Sequence, residues 1–120
     1  MKQGRKISGG KYKKRRKAKS YERPGQRTNI KLGEEKKKIK KILGGNKKTV
    51  LLNVKFINVR NGTGSKKTEI KNVLETPSNR FLARQNIVTK GTVVETELGK
   101  VKITNRPSQE GLANGILIKE

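Results

Sequence analysis

The residues with the most chemistry to offer are the cations of KYKKRRKAK, Lys11 to Lys19. Ammonium and guanidinium groups bind phosphate, and Arg does so in bidentate fashion. Such a run also occurs as a solvated tail or a nuclear-import signal. The polyanion reading is favoured because the charge is balanced nowhere else in the chain. Tyr12 and Tyr21, inside or beside the patch, could stack on unpaired bases or anchor a tail onto the protein's own barrel. Outside the run, Arg60, Arg80, Arg84 and Arg106 draw attention for the same bidentate geometry as Arg15 and Arg16. Arg80 and Arg84 flank Phe81-Leu82-Ala83 and could present one small patch. Lys66 and Lys67 follow Asn61-Gly62-Thr63-Gly64-Ser65, a sequence that suits a hairpin end carrying two phosphate contacts.

Other chemistries lack their parts. The chain has no Cys, His, Trp or Asp, which excludes thiol catalysis, disulfides, Cys/His zinc sites and His-based proton transfer. Glu95 and Glu97 fall on one face of an expected strand, and paired carboxylates can move protons or bind a metal. Solvated residues pairing with nearby Lys is the favoured reading of both. No GxxxxGK[ST] phosphate loop occurs, and Ser20, Ser65, Ser78 and Ser108 have no histidine to activate them. Neither an enzyme nor a metal or cofactor site is expected.

Composition supports a binding role. Of 120 residues, 32 are Lys or Arg and 9 are Glu, a net charge of +23, and only 29% are hydrophobic. Residues 1–48 hold 20 Lys/Arg against 3 Glu with 10 hydrophobic residues; residues 49–120 hold 12 against 6 with 25. The first part cannot offset its conformational entropy by burying apolar surface, so it is expected to order only against a polyanion. The second part can fold. MKQGRKISGG lacks the apolar segment of a signal peptide, and stretches such as Val50-Leu51-Leu52 are far too short to span a membrane. A soluble, intracellular protein is expected, with no membrane partner.

The elements that must position these cations read as strands. Ile30 and Leu32 alternate with polar neighbours before Gly33. EEKKKIKKIL, residues 34–43, is ambiguous: Ile39, Ile42 and Leu43 have helical i, i+3, i+4 spacing, yet a charged edge strand fits equally. Gly44-Gly45-Asn46 ends the element. Val50, Leu52, Val54 and Phe56 share one parity, whereas Ile57 and Val59 take the other, which implies a bulge or a strand buried on both faces. Ile70 and Leu74 share a parity in the next segment, which Pro77 ends. TVVETE (92–97) and KVKIT (100–104) flank Leu98-Gly99 as a hairpin. Ser108 to Gly111 reads as a loop, and Leu112 to Ile118 as a last strand. Six or seven short strands with glycine turns indicate an all-β fold, a small barrel or sandwich.

Composition leaves DNA and RNA both open, since no helix-turn-helix, zinc-finger, RNP1 or GXXG pattern appears. Three segments, however, resemble the ribosomal protein S8e family of archaea and eukaryotes. Ser8–Gly33, SGGKYKKRRKAKSYERPGQRTNIKLG, is similar to the family's basic amino terminus. Gly44-Gly45-Asn46-Lys47-Lys48 resembles its turn before a long strand, and Thr104 to Gly111 through Asn114 resembles its T-x-RPGQ-x-G-x-x-N signature. The chain departs at Ser108, where the family has Gly, and at Gly115, where a larger residue is usual. Its short length resembles archaeal members.

The resemblance implies a small β-barrel, residues 34–120, behind a long, basic, largely extended RNA-binding arm, residues 1–33. It also implies that 36–43 form a strand. The function implied is that of a structural, non-enzymatic constituent of the small (30S) ribosomal subunit. Its partners would be small-subunit rRNA and neighbouring ribosomal proteins, with a cytoplasmic, ribosome-associated location and no homo-oligomer. By position in matching motifs the resemblance supports RNA contacts at Lys11, Lys13, Lys14, Arg15, Arg16, Lys17, Lys19, Gly45, Asn46, Lys47 and Arg106. Tyr12, Arg23, Arg27, Lys31, Lys48, Lys66, Lys67, Arg80 and Arg84 join them as expected contacts. The competing functions are a ribosome-biogenesis factor with the same domain and a general nucleic-acid chaperone or compaction protein.

Overall fold

The computed structural model describes residues 4–13, 16–62 and 64–118. In chain order it contains β1 (Ile30–Leu32), β2 (Lys36–Lys41), β3 (Lys47–Val54), β4 (Phe56–Asn61), β5 (Gly64–Glu75), α1 (Arg80–Arg84), β6 (Ile87–Val88), β7 (Val93–Thr96), β8 (Gly99–Ile103), α2 (Pro107–Glu110) and β9 (Asn114–Leu117). The all-β barrel expected from the alternating segments is present, and its organisation is richer than one sheet of six or seven strands. Strands β4-β5-β7-β8-β9 close into a barrel, and β2-β3-β1-β6 form a four-stranded sheet beside it.

The change of parity near Val54 is the junction between these two sheets. Val54 ends β3 and Phe56 starts β4, so Ile57 and Val59 face the barrel interior while Phe56 is 36% exposed. β5 bends around the barrel: residues 64–69 pair with β4 and residues 70–75 with β7, with register shifts between Ile70 and Asn72 and between Val73 and Glu75. An extra residue on one strand redirects every side chain after it. The expected sharing of a face by Ile70 and Leu74 is corrected accordingly: Ile70 and Val73 are buried, whereas Leu74 is 42% exposed.

The β7–β8 hairpin forms as expected, with its turn one residue earlier than Leu98-Gly99. Thr96 pairs with Gly99, leaving Glu97 and Leu98 as the two turn residues. Gly99 takes φ +116, a value side chains disfavour, and the Thr96 hydroxyl donates to its carbonyl at 3.0 Å. Glu97 therefore lies in the turn and does not share a strand with Glu95. Two short helical turns appear, α1 over Phe81-Leu82-Ala83 and α2 where a loop was expected from Ser108. Asn79 caps α1 by accepting from the Phe81 N–H at 2.9 Å, and Pro107 opens α2, which Gly111 closes at φ +71.

The core runs through both sheets and joins Ile30, Leu51, Val54, Ile57, Val59, Ile70, Val73, Val88, Val94, Val101, Ile103 and Ala113. It is built almost wholly of β-branched residues. Their stiff side chains suit a narrow barrel that leaves no room for an aromatic ring. Gly115 shows how tight that interior is: a Cβ there would lie 2.4 Å from Val101 Cγ1 and 2.9 Å from the Lys102 carbonyl oxygen. Outside this core, the described residues from 4 to 27 are all exposed. The radius of gyration, 20.4 Å, exceeds the roughly 14 Å of a compact chain of this length.

Candidate nucleic-acid interface

The densest uncompensated charge on the folded part lies on the β2–β3 hairpin. Ile39, Ile42 and Leu43 do not make a helix: lysines at 36, 37, 38, 40 and 41 repel less when alternation sends them to opposite faces. The turn that closes the hairpin needs glycine twice, because Gly44 and Gly45 sit at φ +74 and +75. Asn46 secures it, its carbonyl accepting from the Ile42 N–H at 2.8 Å and its Nδ2 donating to the Leu43 carbonyl at 3.4 Å. The resulting register sets Lys40 opposite Lys48 and Lys41 opposite Lys47. Directly opposed like charges destabilise a sheet. Among the described residues, the carboxylates that form ion pairs hold Arg16, Lys37 and Lys55 instead.

Beside this ladder runs a groove of about 630 Å³. Gln26, Arg27, Thr28 and Asn29 from the end of the basic segment line it. Lys40 and Lys48 contribute from the hairpin and Ser108 and Gln109 from α2, and no carboxylate is among its lining residues. Three cations, several neutral hydrogen-bonding groups and no acid form a surface suited to a phosphodiester backbone. Arg27 and Lys48 were both expected contacts; Lys40 was not.

The amino-terminal cations are exposed but only partly organised. Arg5 and Lys11 form an isolated bridge around a turn. Arg16 is bidentate on Glu22, with Nη1 donating to Oε2 at 2.7 Å. The Lys19 N–H also donates to Glu22, at 2.9 Å, and Arg16 followed by Lys19 draws this carboxyl below its ordinary range. Lys13, Lys17, Lys19 and Arg23 are exposed. Tyr12 and Tyr21 are 53% and 82% exposed, so neither is buried against the barrel; Tyr12 has the Lys6 ammonium 5.9 Å from its ring centre. Lys14 and Arg15 lie outside the described residues.

The other expected cations occupy separate places. Arg80 and Arg84 do come together, on α1, lining a depression of about 540 Å³ with Asn72, Glu75 and Asn86. Lys66 and Lys67 do not form a pair: they lie opposite Val59 and Asn58 and so point to opposite faces of the ladder. Lys31 projects from the middle of β1, exposed between buried Ile30 and half-buried Leu32.

The chain has relatives of known kind. A family profile for ribosomal protein S8e matches residues 1–118. Small ribosomal subunit protein eS8 of Staphylothermus marinus is 46% identical over 97% of this chain and 93% of its own length. The protein of the same name from Nanoarchaeum equitans is 45% identical over 94% and 91%, and that from Methanococcus aeolicus 42% identical over 97% and 93%. The chain belongs to the ribosomal protein S8e family.

In this S8e member the signature segment Thr104–Asn114 works as a clasp. Asn105 Nδ2 donates to the Leu112 carbonyl at 2.7 Å and to Glu110 at 3.1 Å, while its Oδ1 accepts from the Asn114 N–H at 2.9 Å. The Glu110 carboxylate also accepts from the Arg106 N–H at 3.1 Å. That backbone donor, then the Asn105 amide, holds the Glu110 carboxyl below its ordinary range. Gly111 packs so closely that a Cβ would meet Thr49 Cγ2 at 2.6 Å, which seats α2 on β3. The clasp thereby fixes Ser108 and Gln109 against the groove, with exposed Arg106 at the helix start. Ser108 contributes a hydroxyl-bearing residue to that lining. The β2 lysines are absent from the expected contacts because, in sequence, they fit charges guarding a sheet edge. Their signal was the hairpin register, which Gly44 at the centre of the turn sets.

Proposed function

We propose that this chain is a structural, non-catalytic constituent of the small ribosomal subunit, located with it in the cytoplasm. It binds and stabilises folded small-subunit rRNA among neighbouring ribosomal proteins. The observation that carries this reading is similarity along almost the whole chain to proteins named small ribosomal subunit protein eS8. The acid-free groove and the opposed lysine pairs support it from the side of physical chemistry. In this reading residues 1–33 are the RNA-binding extension and residues 34–120 the body. Strand β1 fastens the end of the extension between β3 and β6, and Arg27 and its neighbours lead the RNA backbone towards Lys40 and Lys48. The cations Lys11 to Lys19 neutralise closely spaced phosphates where rRNA segments converge. With about ten phosphates engaged, log K falls against log salt with a slope of roughly −7 to −9.

The test is sedimentation of a native lysate through sucrose, with and without a high-salt wash, with the protein quantified across the gradient. Stoichiometric recovery with mature small subunits after the wash is expected. Presence on precursor particles alone would overturn the reading in favour of a biogenesis factor. Release to the top of the gradient, with equal affinity for duplex DNA, would favour a general nucleic-acid chaperone.

A further inference from the structure

A second feature of the β2–β3 hairpin lies on the face of the ladder opposite Lys40 and Lys48. There Lys37 pairs with Leu51, and a small notch of about 170 Å³ opens towards the barrel. Its floor is apolar, from buried Leu51 and Ala113, and its walls are Phe56 and Leu112, 36% and 41% exposed. The rim is polar: Glu35, Lys37, Asn58 and Lys67. Notches for drug-sized molecules are larger; this one suits a single planar ring system with a polar edge.

We propose that this notch binds one unstacked nucleobase of single-stranded RNA, with Phe56 as the stacking wall. The proposal rests on the nucleic-acid reading above and adds a base contact to what is otherwise a phosphate surface. Phe56 projects outward from β4 next to inward-facing Ile57, an unusual place for a ring with no core to fill. The Lys67 ammonium lies 4.6 Å from its ring centre and that of Lys55 lies 5.7 Å away. Lys55 is tied to Glu69 at 3.4 Å, whereas Lys67 is free to swing to a phosphate. An exposed cation–π contact is weaker than a base–aromatic stack, so the exchange favours the base. The Asn58 amide donates once to Asn114 Oδ1, at 3.1 Å, which leaves its other N–H and its Oδ1 to meet the polar edge of a base. Glu35, paired with Lys37 at 2.5 Å, supplies a further acceptor at the rim. An apolar side chain from a neighbouring protein would fill the floor but would bring no anion to Lys67, which forms none of the ion pairs among the described residues.

The full chain is titrated with single-stranded hexa-adenylate and, in parallel, with an abasic sugar–phosphate hexamer of equal charge. NMR follows the Phe56 ring and the Leu112 methyls. The methyls of Val94 and Val101, buried in the barrel, serve as reference. Hexa-adenylate is expected to shift the Phe56 and Leu112 signals, and the abasic strand to bind without moving them. Phe56→Leu should weaken hexa-adenylate binding by roughly five- to hundred-fold while leaving abasic affinity and its salt slope unchanged. Phe56→Tyr should keep the base-dependent binding, which separates loss of the ring from loss of the fold. Equal shifts from the abasic strand would overturn the proposal, as would unchanged affinity in Phe56→Leu. A response to added ribosomal proteins alone would also overturn it, marking a protein contact instead. Failure of both strands to bind at low salt would sink the rRNA reading itself, a separate and recognisable result.

Discussion

Replacing Lys40, Lys41, Lys47 and Lys48 together with Gln separates what the hairpin costs the free protein from what it gives to binding. The four residues form two directly opposed like-charge pairs. Each such pair is worth roughly 0.2–1 kcal/mol of destabilisation, and two charges about 5 Å apart in water repel by about 0.8 kcal/mol. Removing both pairs should therefore stabilise the free protein by about 1 kcal/mol, a rise in Tm of roughly 4–8 °C for a domain of this size. Because the gain is electrostatic, it should largely vanish at 1 M salt, where the screening length is about 3 Å. RNA binding should move the other way. Loss of the two phosphate contacts at the groove, Lys40 and Lys48, makes the slope of log K against log salt shallower by roughly 1.5–2. The assays are thermal unfolding at low and high salt, and filter binding of a small-subunit rRNA fragment across a salt series. A Tm gain that persists at 1 M salt would assign the effect to strand propensity and refute the repulsion argument. An unchanged slope would remove the hairpin from the RNA surface.

Three further outcomes follow from the geometry. Gly115→Ala should lower stability by roughly 1–3 kcal/mol, because its Cβ would overlap Val101 in a barrel that cannot open; denaturant unfolding measures it, and a neutral result would mean that β8 and β9 can separate. Arg80→Gln with Arg84→Gln should make the salt slope shallower by roughly 1.5–2 without changing the melting temperature, and an unaltered slope would leave α1 out of the interface. The Glu110 carboxyl is lowered in the folded chain, so its contribution is fully present above the ordinary Glu range near 4.3 and is lost as pH falls through the lower folded value. Amide exchange of Arg106 and Asn114, corrected for intrinsic rates, should stay flat from pH 7 to about 5 and rise only in stronger acid; a transition centred above pH 5 would contradict the clasp.

Much of the fold was legible because alternation is strong where one face is buried. The β7–β8 hairpin and the parity change near Val54 both follow from it. What escaped was non-local. The bulges of β5 arise from closure around the barrel, and no local signal at Lys71 or Leu74 announces them. The insertion of β1 between β3 and β6 rests on three residues whose pairing is set by distant strands. The site divides in the same way. Arg27, Lys48 and the Arg80–Arg84 pair are expected residues that the structure places at a groove or a depression. Lys66 and Lys67 read as two phosphate contacts at one hairpin end, because adjacency in sequence hides the reversal of faces in a strand. Phe56 belongs to an apolar run in the sequence, and only its position after the sheet junction turns it outward.

The placement of the glutamates explains why one surface, among so many lysines, is left without an acid. Glu22 holds Arg16, Glu35 holds Lys37, Glu69 holds Lys55, and Glu110 fastens the clasp. None lines the groove between Arg27, Lys40 and Lys48. The repulsion left there is confined to β2 and β3, in the open sheet, while the five-stranded barrel has no edge for it to unravel. The body can thus tolerate a strained hairpin without losing its core. By linkage, a ligand that neutralises the hairpin must also stabilise it. RNA binding should accordingly protect the amides of β2 far more than those of β8. Uniform protection across both strands would mean that the charge is not stored in the hairpin, and that the groove is not where the polyanion sits.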